Sequence, residues 1–532
     1  MYSGKTSGRE VVARSGIRAV LACIIIILLQ ASEPCGAASA PNASMRGILE
    51  SLEKYAVSLV GVHNIPGMAY AVLKDDVIVY SKGFGVKKQG GADAVDEHTV
   101  FEIGSASKAF TTTLLAMLVD EGKLAWKDKV SYHLPGFKMY NHCMTEDFMV
   151  EDLVCQRAGI KPYSLDTMSY LGFGRADIIH ALRYLEPIHP IRSSYGYVNN
   201  LFLVAGRLIQ KKTGLSWEDA VTNRILALLG MMETTAYLSD FNKMPNTATG
   251  HMNLFDGGIW TIPKGWRYEG WLQTYGPPGG IRSNVLDMCR WMRLNLGRGT
   301  YEGYSLVSGK GMDYLYQPKI HAGSTALDNT DLYASGWVYT VWSPQPIVWH
   351  NGATMGMHSI VALFPAANMG IVVLTNTNVN PVPELMMRRL YDLYYGNPIP
   401  ATVADAIAGL DIQTLQPVNK LPPRPAVTLA ALPLKSYVGD YKNPAYGTVR
   451  VRLKKGSLIA LLDPMAIEAP LTPFSGNTFV VTLPDWPERE SLATFVMGPG
   501  GSVKELFMQL FSDVKGGICL PSYPSAEASF EE

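Results

Sequence analysis

Residues 107–119, Ser-Lys-Ala-Phe-Thr-Thr-Thr-Leu-Leu-Ala-Met-Leu-Val, constrain the fold more than any other stretch of the chain. The run predicts a helix closed by Gly122. Phe110, Leu114, Met117 and Leu118 share one face, while Leu115 and Ala116 fill another. A helix that is apolar on most of its sides cannot lie on a surface and has to be enclosed by other elements. The chain has the material for this. Its 532 residues, 47% of them hydrophobic, are enough for two domains with substantial cores.

The surroundings of that helix point to layers of strand and helix. Residues 66–73 and 77–84 read as two strands joined by a turn at 74–76. Helical patterns come next near 149–156, 201–212 and 285–296, then strand-like runs at 336–342, 347–349, 358–364 and 370–375. Strands at both ends with helices between predict an α+β sandwich whose sheet unites the ends of this region. Proline-rich punctuation at 397–400 and 421–425 brackets a linker with a small helix, and implies that the regions on its two sides have separate cores. From 437 to about 510, short alternating strands such as 446–453, 457–462 and 478–482 predict a small all-β barrel or sandwich. The tail 527–532 reads as disordered.

Composition removes several functions. The 46 basic and 46 acidic residues cancel, so the chain lacks the electrostatic footprint of a nucleic-acid binder. Lys5, Arg9, Arg14 and Arg18 precede the apolar run 19–29 and the small residues Gly36, Ala37, Ala38 and Ala40. That is the pattern of a signal peptide, or of an uncleaved signal anchor, over residues 1–40. Export to a periplasm or secretory pathway is expected, with a membrane tether only through that segment. Six cysteines, with no C-x-x-C pair, give no disulfide scaffold and no zinc site. A Cys143–Cys155 bridge and buried free thiols are both compatible with the sequence.

The chemistry gathers at three places. Phe101-Glu-Ile-Gly-Ser-Ala-Ser-Lys-Ala-Phe110 holds Ser105-x-x-Lys108, whose spacing sets both side chains on one face of a first helical turn. The positive end of the helix favours an alkoxide at Ser105 and opposes a charged Lys108, and burial of that lysine would turn it into a base near neutral pH. Tyr197-Val-Asn199 enters an apolar helix; a neighbouring cation would lower the phenol and make it a proton shuttle, and Asn199 offers both a donor and an acceptor, to a substrate amide and to Lys108. Trp349-His-Asn-Gly352 ends a strand: Gly352 would let a substrate backbone approach, and His350, titrating near ~6.5, would carry part-time positive charge for a carboxylate. Each motif alone is also compatible with an ordinary helix start, a buried tyrosine or a strand end. Their order and spacing together carry the argument.

With those motifs in the order S-x-x-K, Y-x-N, H-x-G, and with Gly279-Gly280-Ile-Arg-Ser-Asn between them, the chain resembles the serine β-lactamase and penicillin-binding-protein superfamily. The likeness is to its class C-like D-peptidase and esterase branch and spans about residues 52–376. It implies a β-lactamase-like sandwich over 45–395, a linker over 396–432, and a small barrel over 433–522. Through Tyr437-Val-Gly-Asp-Tyr-Lys-Asn, that barrel more weakly resembles the lipocalin-like domain appended to some of these peptidases. The resemblance implies Ser105 as nucleophile, Lys108 and Tyr197 for proton transfer, and Asn199, His350, Gly352 and Ala353 at the substrate, with Ser105 and Ala353 N–H groups as the oxyanion hole. It implies a small acyl, peptide or ester substrate and no metal or organic cofactor. Arg157-Ala-Gly159 stands where many relatives carry a His-x-Ser-Gly turn. His350 stands where true class C β-lactamases carry lysine, which shifts the expectation from antibiotic hydrolysis toward an esterase or peptidase. The rivals are a true β-lactamase and a silent protein that binds a peptide or cell-wall fragment without cleaving it.

Overall fold

The computed structural model describes residues 44–324, 330–378, 380–400, 421–511 and 518–522. The signal segment 1–40, the helix expected within the linker and the tail 527–532 lie outside the described residues. Among the described residues no helix is long and apolar enough to cross a membrane, and no group of metal-ligating side chains is found.

An eight-stranded antiparallel sheet organises the first part of the chain. Its strands are β1 (Gly67–Lys74), β2 (Val77–Gly85), β3 (Ile320–Ser324), β4 (Thr330–Tyr333), β5 (Val338–Val341), β6 (Ile347–Ala353), β7 (His358–Phe364) and β8 (Met369–Thr375), in the spatial order β2-β1-β8-β7-β6-β5-β4-β3. The sheet unites the ends of this region, as the strand pattern predicts. β1, β7 and β8 are buried almost throughout, which explains their nearly unbroken apolar sequences. One face is covered by α1 (Met45–Val62), through the stripe Ile48, Leu52, Ala56 and Leu59, and by α5 (Val382–Tyr395). The sequence pattern anticipates neither helix. The other face takes α4 (Val285–Leu296), and behind it lies α2 (Lys108–Asp120), with Phe110 stacked on Trp291 at 3.8 Å between ring centres. Eleven consecutive residues of α2, Lys108 to Leu118, are buried. α3 (Asn200–Thr213) packs beside it. The helix expected near 149–156 is only a single 3₁₀ turn, Val150–Leu153.

The C-terminal part is a closed eight-stranded antiparallel barrel. Its strands β9 (Gly439–Asn443), β10 (Gly447–Lys454), β11 (Ser457–Leu462), β12 (Ile467–Ser475), β13 (Thr478–Thr482), β14 (Glu490–Met497), β15 (Val503–Met508) and β16 (Ile518–Ser522) succeed one another in sequence order around the wall. Alternate residues point inward, as in Leu458, Ala460 and Leu462. The interior is filled by Tyr437, Tyr441, Phe479 and Phe495, with ring centres 4.7 to 5.8 Å apart.

The expectation of separate cores is corrected by the structure. Trp486, on the turn between β13 and β14, packs on Tyr170, Trp266 and Tyr268, and one continuous hydrophobic cluster runs from α2 into the barrel. Trp266 Nε1 and Tyr268 Oη donate to the Asp485 and Pro484 carbonyls, and Met465 N donates to the Leu171 carbonyl. The Cys143–Cys155 bridge is also absent: Cys143 is exposed, Cys155 is buried, and both are free.

Candidate active site

Ser105 lies in a short 3₁₀ turn, Gly104–Ser107, that runs directly into α2. Two glycines decide how close the sheet comes to it. Gly104 has φ +50°, and a Cβ there would stand 2.8 Å from the Ala353 nitrogen and 2.9 Å from its oxygen. A Cβ on Gly352 would land on the Ile103 carbonyl oxygen and 2.8 Å from Ser105 N. Ser359 Oγ, opposite Gly352 on β7, donates to the same Ile103 carbonyl at 2.7 Å. So Gly352 makes room for the nucleophile's own backbone, not for a substrate backbone as the sequence suggests. The close approach brings Ser105 N and the end of β6 to one spot. Gly352→Ala is expected to destabilise the fold by about 1 to 3 kcal/mol through overpacking. It should also slow reaction of Ser105 with an active-site label far more than this loss of stability explains, which the labelling rate of the folded fraction checks.

Lys108 is fully buried in the first turn of α2. Its Nζ lies 2.9 Å from Ser105 Oγ, 2.8 Å from Asn199 Oδ1 and 3.0 Å from the Pro278 carbonyl. Burial holds the amine well below the usual lysine range, and the nearby Asp166 charge offsets part of that effect. A neutral amine has two N–H donors and one lone pair. Asn199 Oδ1 and the Pro278 oxygen are acceptors only, so they take the two donors and leave the lone pair facing the Ser105 hydroxyl.

Tyr197 hydrogen-bonds with Ser105, and its ring centre is 4.7 Å from Lys108 Nζ. The expected lowering of this phenol is reversed. Burial raises it well above 10, with Tyr333 next in importance. Tyr197 is therefore a phenol with its proton in place. Asn199 does accept from Lys108, and its Nδ2 donates one of its two N–H groups to Asp166 Oδ2 at 2.8 Å.

His350 is corrected most. It is 2% exposed; its Nε2 lies 3.1 Å from Tyr333 Oη, and its Nδ1 lies 2.6 Å from the Asn351 carbonyl. Burial, with Lys108 adding to it, pushes its pKa down to about 3. The imidazole is neutral across the working range and both its nitrogens are engaged, so it supplies no positive charge to a carboxylate.

Three participants escape a sequence reading. Asp166 binds Asn199 and also accepts from Tyr275 Oη at 3.1 Å; the Pro278 carbonyl meets Lys108; Tyr333 closes over His350. The Gly279-Gly280 motif next to Pro278 is the nearest signal to any of them. Asp166→Asn keeps an acceptor for Asn199 but removes the charge that holds the Lys108 amine up. The acid limb of kcat, where Lys108 becomes protonated, is therefore expected to move to lower pH, as a kcat profile against pH would show.

The chain is similar to known proteins in both of its parts. Residues 52–395 match the beta-lactamase family, and residues 423–519 match a domain of unknown function, DUF3471. The unguisins hydrolase ungD' of Aspergillus campestris is 26% identical over 484 residues, covering 82% of this chain and 85% of the relative. The protein flp of Staphylococcus aureus is 27% identical over 326 residues, 61% of this chain and 62% of the relative. A solved structure described as the octameric penicillin-binding protein homologue from Pyrococcus abyssi superposes with a TM-score of 0.59 at 20% identity, over 86% of this chain and 98% of that one, and shows the shared fold.

Proposed function

The chain belongs to the beta-lactamase family of serine hydrolases, and on that premise we propose that it cleaves ester or amide bonds through an acyl-enzyme on Ser105. The observation that carries this reading is the Lys108 amine: 2.9 Å from Ser105 Oγ, pushed toward its neutral form by burial, with its other two contacts made to acceptors. Ser105 Oγ attacks the substrate carbonyl and its proton passes to Lys108 Nζ. The Ser105 and Ala353 N–H groups stabilise the negative oxygen of the tetrahedral intermediate. Tyr197, which keeps its own proton, donates it to the leaving oxygen or nitrogen, and the Lys108 ammonium restores it. Water then attacks the acyl-enzyme with the proton path reversed, freeing the acid. Asn199 accepts from Lys108 Nζ and is itself held by Asp166.

The relative named an unguisins hydrolase matches 82% of this chain, which supports a hydrolytic reaction. Export through residues 1–40 belongs to the same proposal; the N-terminus of the mature protein, determined by mass spectrometry, tests it. The catalytic reading is tested with a fluorophosphonate. Wild-type protein is expected to gain one adduct on the peptide that carries Ser105, and Ser105→Ala to gain none while keeping its fold. An adduct on another serine, with Ser105 unmodified, overturns the assignment.

A further inference from the structure

Both acceptors that hold the Lys108 amine lead back to the barrel. One is Asn199 Oδ1, on a side chain that Asp166 Oδ2 holds in turn. Asp166 opens a single helical turn, Asp166–Tyr170, and Tyr170 closes it. Five residues of helix have little stability of their own, so the contacts at the two ends decide where the turn lies. At its start, Tyr275 Oη and Asn199 Nδ2 donate to Asp166. At its end the contacts come from the barrel. The Tyr170 ring meets both Trp271 and Trp486 edge-on, with ring centres 5.3 and 5.2 Å away. Met465, on the turn between β11 and β12, donates its N–H to the Leu171 carbonyl at 3.3 Å. Its side chain lies on the Gly172 backbone, where φ is +91° and an added Cβ would stand 2.3 Å from Met465 Cγ. A glycine at 172 is what lets the barrel close on this segment.

The other acceptor is the Pro278 carbonyl. The segment that reaches it begins at Trp266 and Tyr268, which donate to the Asp485 and Pro484 carbonyls on the turn between β13 and β14. Trp271 and Tyr275 follow on the same segment, with ring centres 6.1 Å apart, and Tyr275 returns to the first segment by donating to Asp166. Two short turns of the barrel thus grip both segments that place the Lys108 amine.

We propose that the barrel is a working part of the active site: Met465 and Trp486 are positioning residues that hold segments 166–172 and 266–278 where Asn199 and Pro278 fix Lys108 against Ser105. This inference rests on the hydrolase reading, and it gives the region that matches DUF3471 a part in the reaction.

The test uses the full chain and the rate at which a fluorophosphonate modifies Ser105, followed against pH on the folded fraction. Met465→Ala keeps the backbone bond to Leu171, and Met465 is 37% exposed, so the fold is expected to tolerate the change. Trp486→Phe keeps a ring against Tyr170. Phe479→Leu, whose ring packs on Tyr437 and Phe495 inside the barrel, is the control for general loosening. Each grip variant is expected to slow modification by about tenfold, because small displacements of a catalytic group cost at least this much. The control is expected to match wild type within about twofold. Of the titratable groups facing Lys108, Tyr197 and His350 stay neutral, and Asp166 supplies the charge that holds the amine up. Met465→Ala lets that charge move away, so the acid limb of the rate should shift to lower pH, and should shift no further when the change is added to Asp166→Asn. A wild-type rate in either grip variant, or an unmoved limb in Met465→Ala, overturns the inference, as does a control that loses as much as they do. A shift undiminished in Asp166→Asn overturns the route through Asp166. All of these outcomes require that wild-type Ser105 is modified, and they leave the hydrolase reading standing. No modification of wild-type Ser105 sinks that reading and this inference with it.

Discussion

Lys108→Met is expected to lower kcat by about a thousandfold or more, and to flatten the dependence of stability on pH. The first effect comes from removing the base that takes the Ser105 proton. The second comes from where the lysine sits. In the unfolded chain its amine titrates near the ordinary 10.5, while in the folded protein burial holds it well below that value. Between the two values the unfolded state binds a proton that the folded state does not, so stability rises with pH across that window. Below the folded value the penalty is present in full, and above the unfolded value it has gone. Methionine has no such proton. It leaves Asn199 Oδ1 and the Pro278 carbonyl without their donor, a cost with no pH window of its own, so the slope is the informative quantity. The difference between the melting temperatures of wild type and variant should change steadily with pH, the variant gaining relative to wild type as pH falls. Parallel curves would mean that Lys108 is charged in the folded protein, and the proposed base would have to be abandoned.

Trp486→Ala is expected to destabilise the protein by about 3 kcal/mol or more, the cost of truncating a buried tryptophan. Its indole touches Tyr170, Trp266 and Tyr268, all contributed by the sheet-containing part of the chain. A chain ended at Pro400 is a more severe form of the same change. It uncovers Trp266 and Tyr268, now 4% and 1% exposed, together with the segment that carries Asp166. Such a chain should lose solubility or melt without a cooperative transition, because an exposed aromatic patch of this kind promotes association. Scanning calorimetry of both forms is the measurement. A truncated chain that stays monomeric and melts like the intact protein would show the barrel to be an appendage that contributes nothing to its neighbour.

How much of this was legible in advance depends on the range of the contacts. Ser105 and Lys108 lie three residues apart on one turn, and the apolar helix behind them implies a buried lysine, so their pairing could be read directly. The barrel strand 457–462 alternates in burial, and 478–482 is a short aromatic and β-branched run, both local properties. α1 and α5 escaped because their stripes face a sheet whose strands lie elsewhere in the sequence, and because Pro381 and Pro383 look like punctuation although proline suits the first turn of a helix. Asp166 escaped because nothing near it in sequence distinguishes it from a turn aspartate; its meaning comes from Asn199, 33 residues on. The motif located His350 but gave the wrong chemistry. Whether an imidazole titrates near 6.5 or far below depends on the lid formed by Tyr333 and on Lys108 beside it, and neither contact is encoded by the residues around His-Asn-Gly.

The sheet order also bears on how the chain is made. β1 is buried on both faces and lies between β2 and β8, and Gly67 bonds to Asn376 across a sequence separation of 309 residues. During synthesis β1 leaves the ribosome with only its hairpin partner available. At ordinary translation speeds, its second neighbour emerges about 15 to 60 seconds later. For that interval an apolar strand edge, Met68 to Leu73, is open to whatever pairs with it, including the same hairpin on an adjacent nascent chain. Sheet closure is therefore a late, non-local event in the life of each molecule. Yield on expression should respond to slower translation or to a holding chaperone more strongly than the stability of the finished protein would suggest.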